Sequence, residues 1–319
     1  MSFLNNLIIT LILFSIFSNT LEKDDETLKN QLKEDIYSDL EKLISNYTQQ
    51  IAITAVSLDK EKTPFYLNSK KAFVSASMIK LLILCEFIDQ IDHKNISLNN
   101  IYTYRKEDYV EGSGIIQNMT FGTNFSYDTL ALYMIEHSDN IATNVLIDIL
   151  GKDNINNKSK ELGLNETRLN RKMMHWDGTE NYINAEDTEF ILRGLLYKKI
   201  GSVEMCERAI YYLLENKDFD SIMRGLPKDV KCAHKSGSLD LPVRHDGGIV
   251  YAENKYIIII LTKNFTNVDN ANYLMGNISE IVYNILGKDS TPTPDSDVDL
   301  QTFIKHGIIS IILYILLLI

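Results

Sequence analysis

Apolar residues at Leu28, Leu32, Ile36, Leu40 and Leu43/Ile44 recur at the spacing of one helix face, which predicts an amphipathic helix within residues 24–47. The stretch IAITAVSL, Ile51 to Leu58, is apolar and bounded by polar runs, so it predicts a strand; a polar turn and a second strand around Phe65 to Leu67 follow. From Ser77 to about Leu214 the pattern is mostly helical, broken by loops at YVEGSGIIQN and NRKMMHWDGTENYINAED. VKCAHKSGS, RHDGGIVYAE and KYIIIILTKN then predict three strands, with a tight turn at Glu253 and Asn254, and a final helix runs from Asp269 to Leu286. Strands towards both ends with helices between them predict an α+β fold, an α/β sandwich. Its antiparallel sheet of about five strands would bring the first and last segments together, flanked by terminal helices, with an all-helical subdomain inserted. The domain then covers residues 21–286, with residues 21–72 and 217–286 in the sheet part and residues 73–216 in the helical part. The cleft between two such layers is the place to look for a site.

Both ends differ in character from this domain. Residues 1–20 carry an apolar run from Leu7 to Phe17, followed by Ser18 and Thr20 as small residues suited to cleavage, and read as a secretory signal. Residues 287–302 form a polar linker. Residues 303–319 form a hydrophobic tail, apolar from Gly307 to Ile319 and shorter than the roughly 20 residues a spanning helix needs. Small residues near Asp295 to Asp297, a polar spacer and an apolar tail match a GPI-attachment signal; a tail that lies in a membrane or packs on the protein is the alternative. Eight Asn-x-Ser/Thr sequons, at Asn46, Asn95, Asn118, Asn124, Asn157, Asn165, Asn264 and Asn277, suit a glycosylated protein that is secreted or held on the outer face of a membrane.

Composition narrows the partners. A chain of 319 residues with 45% apolar content can bury a sizeable core. The net charge of -11 and the absence of a Lys/Arg cluster argue against nucleic acid, which needs concentrated positive charge. Cys85, Cys206 and Cys232 lack metal-ligand spacing, so neither a metal nor another cofactor is expected. Cys206 and Cys232 are available to pair in an oxidising compartment, whereas Cys85 sits inside the apolar run LLILCEF as a buried thiol. There is no internal repeat, and a monomer acting on a small molecule is expected.

Three short motifs carry the candidate chemistry. In VSASMIKLLILCEF, Ser77 and Lys80 are three residues apart at a helix start, on one face and near the positive end of the helix dipole. A lysine there can take the serine proton if its neighbours lower its pKa. By itself the pair reads equally as an N-capping region with a solvated lysine. In YMIEHSDNIATNVLIDILG, Asp139 alone reads as a helix cap, yet the Ser138 hydroxyl and the Asn140 amide can hand a proton to a leaving group and orient a substrate amide. In HKSGS, Lys235 and Ser236 can hold a substrate carboxylate, and Gly237 lets a substrate backbone lie along the strand edge before Ser238.

With these three motifs in this order, residues 30–286 resemble the class A β-lactamase and penicillin-recognising serine hydrolase family. The resemblance implies Ser77 as the acylated nucleophile, Lys80 as its proton acceptor or relay, and Ser138 as the proton shuttle to the leaving nitrogen. It implies Asn140 as a ligand of the substrate side-chain amide and of Lys80, and Lys235 with Ser236 as the carboxylate site. The backbone N–H groups of Ser77 and Ser238 would form the oxyanion hole. Arg244, nine residues after Lys235, resembles the auxiliary carboxylate-binding arginine and reads equally as a surface arginine; His245 beside it reads as structural.

One departure concerns deacylation. Where hydrolytic members carry a loop glutamate that activates water, ETRLNRKMMHWDGTENYINAED has Met173, with Asp177 at the position of the loop's asparagine. Asp177 or Glu180 is the remaining candidate base, set against a reading of both as solvated loop charges. The expected function is opening of β-lactam rings through an acyl-serine. The alternatives are a D-Ala-D-Ala-type carboxypeptidase, a carboxylesterase, a slowly deacylating penicillin-binding protein, or a non-catalytic surface binding protein on the same fold.

Overall fold

The computed structural model describes residues 36–58, 62–240 and 243–288. The expected signal (1–20), most of the linker, the hydrophobic tail and the start of the N-terminal helix lie outside them. Among the described residues no helix is long and apolar enough to cross a membrane.

The central sheet is built from five strands: β1 (Ile51–Ser57), β2 (Phe65–Leu67), β7 (Lys231–Leu239), β8 (Val243–Tyr251) and β9 (Tyr256–Thr262). Their order is β2-β1-β9-β8-β7, antiparallel throughout. The first strand pairs with the last, Ile51 opposite Thr262 and Ser57 opposite Tyr256. That pairing joins the ends of the domain as expected from strands at its two extremes.

The unbroken apolar run of β9 follows from burial on both faces of the sheet. Ile257, Ile259 and Leu261 pack into one hydrophobic cluster. Ile258 and Ile260 point the other way, into a second cluster with the terminal helices α1 (Ser38–Ile44) and α8 (Val268–Val282). A period of two thus serves two cores at once. The same alternation separates the cysteines: Cys85 and Cys206 belong to the first cluster and Cys232 to the second. All three are free thiols, so Cys206 and Cys232 do not pair; they lie in clusters on opposite faces of the sheet.

The inserted subdomain holds α2 (Lys80–Asp92), α3 (Tyr127–Glu136), α4 (Asn140–Leu150), α5 (Lys152–Glu161), α6 (Ala185–Leu196) and α7 (Val203–Leu214). Two short ribbons accompany them: β3 (Phe73–Val74) with β6 (Tyr182–Ile183), and β4 (Ile101–Thr103) with β5 (Asn124–Ser126). These pieces are too short to show a period-two pattern, which is why a helical reading passed over them. Helix α2 is the axis of the subdomain. Every residue from Lys80 to Ile88 is buried, so the run LLILCEFI has no solvated side.

Candidate active site

Chain geometry first sets the two serines. Ala76 adopts φ 46, a left-handed conformation that costs a residue with a Cβ of the order of 1 kcal/mol. It opens a short 3-10 turn, Ala76–Ile79, that runs directly into α2. Ser138 is also left-handed, at φ 51, and immediately precedes the Asp139 N-cap of α4. Both hydroxyl-bearing turns are therefore bent away from the regular helices that hold them.

Asp139 fixes the second turn. Its Oδ1 accepts the Ala142 N–H at 2.9 Å, and its Oδ2 accepts the N–H groups of Ile115 and Ile116 at 2.7 and 2.8 Å. The cap reading of Asp139 is therefore right, and the same carboxylate also ties the YVEGSGIIQN loop to the site. Gly114 permits this closeness: a Cβ there would lie 2.3 Å from the Asp139 carboxylate.

Lys80 lies at the convergence of these elements, fully buried. Its Nζ is 3.0 Å from Ser77 Oγ, 3.0 Å from Ser138 Oγ, 2.6 Å from the Ser138 carbonyl and 3.1 Å from Asn140 Oδ1. Burial pushes its pKa well below the usual lysine range, the Lys235 charge pushes it further, and Asp139 opposes both. Three N–H bonds saturate an ammonium, whereas a neutral amine has a lone pair that can accept the Ser77 proton. Such an amine, 3.0 Å from a hydroxyl, is in reach for general-base work.

Strand β7 brings the third motif. Lys235 Nζ donates to Ser138 Oγ at 3.1 Å and to the Ser236 carbonyl at 2.6 Å. Burial lowers its pKa to about 8, partly countered by Asp218 and Asp246. Ser138 Oγ thus stands between two amines, one buried beside Ser77 and one on the strand. Gly237 lies against the turn that carries Ser77: a Cβ there would approach the Ser77 nitrogen to 2.9 Å.

Arg244 is buried, at 5% exposure, and not a surface strand residue. Its Nε donates to Asn272 Oδ1 at 2.7 Å and its Nη2 to Asp218 Oδ1 at 2.7 Å. Ser236 Oγ donates to the other oxygen of Asp218 at 2.6 Å. Burial alone would raise the Asp218 carboxyl; Arg244, Ser236 and the Asp220 N–H instead hold it far below the usual carboxylate range. His245 is buried, its Nε2 2.7 Å from the Val74 carbonyl and its Nδ1 accepting the Thr262 N–H at 3.0 Å. Burial lowers its pKa to about 4, leaving a neutral structural ring.

The cleft over Ser77 has a volume of about 470 Å³, and Asn140, Met173, Trp176, Glu180 and Ser238 are among the residues lining it. Asn144 clasps Met173 by both backbone groups, accepting its N–H at 2.8 Å and donating to its carbonyl at 3.0 Å. Asn181 similarly accepts the N–H groups of Asn170 and Arg171. Of the two candidate bases, Asp177 is not on the cleft wall. Its carboxylate turns back onto the Thr179 hydroxyl and N–H at 2.6 and 3.0 Å. Glu180 lines the cleft, but its carboxylate is paired with Arg171 at 2.7 Å.

The structure therefore gathers Ser77, Lys80, Ser138, Asn140 and Lys235 in one hydrogen-bonded group, with Ser236 and Arg244 joined to each other through Asp218. Sequence reasoning overlooked Asp218, Asn144 and Asn181. Asp218 lies in the acidic stretch KDFDS, and the asparagines occur in a chain rich in that residue, so neither carries a spacing signal.

Residues 35–286 match the model of the family described as the beta-lactamase enzyme family. The chain belongs to that family. Among curated relatives, this member is 23% identical to β-lactamase VEB-1 of Pseudomonas aeruginosa over 79% of this chain and 85% of the relative. It is 26% identical to β-lactamase 1 of Bacillus cereus over 73% and 76%. Among solved structures, the β-lactamase of Sphaerobacter thermophilus DSM 20745 superposes with a TM-score of 0.74 at 24% identity, over 79% of this chain and 98% of the other. A leucine-to-glutamate mutant of PBP-A, described as an acyl-enzyme complex with penicillin G, superposes at 0.73 with 24% identity over 79% and 96%. At that identity the likeness shows the shared fold, the sheet with an inserted helical subdomain. Membership places this family member among serine-hydrolase-like proteins with a small-molecule cleft.

Proposed function

We propose that the protein is a serine hydrolase that opens β-lactam rings and related amides or esters through an acyl-Ser77 intermediate, with release of the acyl group as the slow step. The observation that carries this reading is the buried Lys80 amine, 3.0 Å from both Ser77 Oγ and Ser138 Oγ. Lys80 would take the Ser77 proton as Oγ attacks the carbonyl carbon, with the Ser77 and Ser238 N–H groups receiving the oxyanion. As the C–N bond breaks, Ser138 would protonate the leaving nitrogen and recover a proton from Lys80. Asn140 would orient the acyl amide.

Slow release is supported by Met173 at the place of the loop glutamate and by the engagement of Glu180 with Arg171 and of Asp177 with Thr179. Acylation and deacylation use different groups, so loss of one base spares the other step. Incubation of the protein with a chromogenic cephalosporin and a fluorescent penicillin, followed by intact mass, tests the reading. A persistent adduct in the wild type and none in Ser77→Ala is expected. No adduct and no turnover in either protein would defeat the nucleophile assignment. The signal-like and GPI-like ends support export and attachment to the outer cell surface, which release by a phosphatidylinositol-specific phospholipase would test.

A further inference from the structure

Two of the donors that family resemblance reserves for a substrate carboxylate, Ser236 and Arg244, are already engaged by a carboxylate of the protein. Ser236 has one hydroxyl proton to give, and it goes to Asp218 Oδ2 at 2.6 Å. Arg244 Nη2 donates to Asp218 Oδ1 at 2.7 Å and to Ser221 Oγ at 3.0 Å, and its Nε donates to Asn272. The backbone N–H of Asp220 adds a third bond to Asp218, at 3.1 Å. Asp218 also supplies negative charge towards Lys235, the remaining cation of the carboxylate site.

The shape of the cleft follows this arrangement. Its wall includes Ser77 and Ser238 but neither Ser236 nor Arg244. The Asp218 side chain keeps 23% exposure, so a carboxylate brought towards Ser236 meets an anion that solvent can still reach. Two carboxylates competing for one hydroxyl and one guanidinium repel each other and leave donors short.

We infer that Asp218 is a specificity-determining residue that stands in for the substrate carboxylate, so that Ser77 accepts acyl donors bearing an uncharged ester or amide at that end in preference to a free acid. The inference rests on the acyl-Ser77 reading and names the substrate class of that site. A purely structural Asp218–Arg244 ion pair would stabilise the fold without discriminating between substrates by charge.

The test compares one penicillin with its own methyl ester, which differ only in that charge. The rate of Ser77 acylation is followed by intact mass for the wild type, Asp218→Asn and Ser77→Ala. The wild type is expected to react faster with the ester by about tenfold or more, and Asp218→Asn to raise the rate with the free acid by a similar factor while the ester rate changes little. Asparagine keeps an oxygen for Arg244, and the wild-type pair of substrates stands as a test even if the variant does not fold. A wild type that takes the free acid as fast as the ester, or faster, overturns the role of Asp218 while leaving the nucleophile intact. Absence of any Ser77-dependent adduct from either compound overturns the acyl-serine reading, and this inference with it.

Discussion

Gly237 stands so close to the Ser77 turn that a Cβ on it would lie 2.9 Å from the Ser77 nitrogen and 3.1 Å from the Met78 nitrogen. Strand β7 and the 3-10 turn that leads into α2 thus approach closely at the point where an acyl group would be attacked. Gly237→Ala must push them apart by a few tenths of an ångström. The expected result is a fall of about tenfold to a hundredfold in the acylation rate, with a stability loss of about 1–3 kcal/mol from the forced separation. An unaltered acylation rate would show that the contact does not position Ser77.

Removing the Lys80 amine tests the proton acceptor. Lys80→Met fills the buried path as far as Cε and removes the terminal nitrogen with its lone pair. The acylation rate should fall by about 10²–10⁴-fold while the protein still melts cooperatively. Acylation at the wild-type rate, measured by stopped-flow loss of lactam absorbance, would move the base elsewhere.

A pH profile separates the two lysines. Lys80 is held well below the usual lysine range, so it is available as a base, whereas Lys235 loses its proton at about 8. The acylation rate should therefore decline as pH rises through about 8, where the positive charge beside Ser138 disappears. In Lys235→Arg the guanidinium keeps its charge, and the decline should vanish from the profile up to about pH 10. The same alkaline limb in both proteins would rule out Lys235 as its source.

A substitution at Met173 tests the proposed slow deacylation. Its side chain is on the cleft wall, and Asn144 holds its backbone from both sides. Met173→Glu should shorten the lifetime of the Ser77 adduct by about tenfold or more, because burial raises the carboxyl pKa towards that of a useful base. A stability cost of about 1–3 kcal/mol is expected from introducing a carboxyl at a position of 6% exposure. An unchanged adduct lifetime in a folded variant would mean that position 173 does not reach the water.

Elements that announce themselves by period or composition are readable from the residues alone. The run IIIIL of β9, the helical spacing after Ser77 and the pairing of end strands were legible because burial imposes those patterns locally. So were Ser77, Lys80, Ser138, Asn140 and Lys235 as candidates, since each lies in a short motif at a characteristic spacing. Tertiary structure alone decided how these groups stand to one another. Cys206 and Cys232 fall in clusters on opposite faces of a sheet, a fact set by strand alternation and helix placement together. Asp177 and Glu180 are three residues apart, yet one folds onto Thr179 and the other onto Arg171. Asp218 reaches Ser236 and Arg244 across 18 and 26 residues of chain. A lone acid in a polar loop has no periodicity to betray such a partnership; its charge acquires meaning only when the fold brings a hydroxyl and a guanidinium within hydrogen-bond distance.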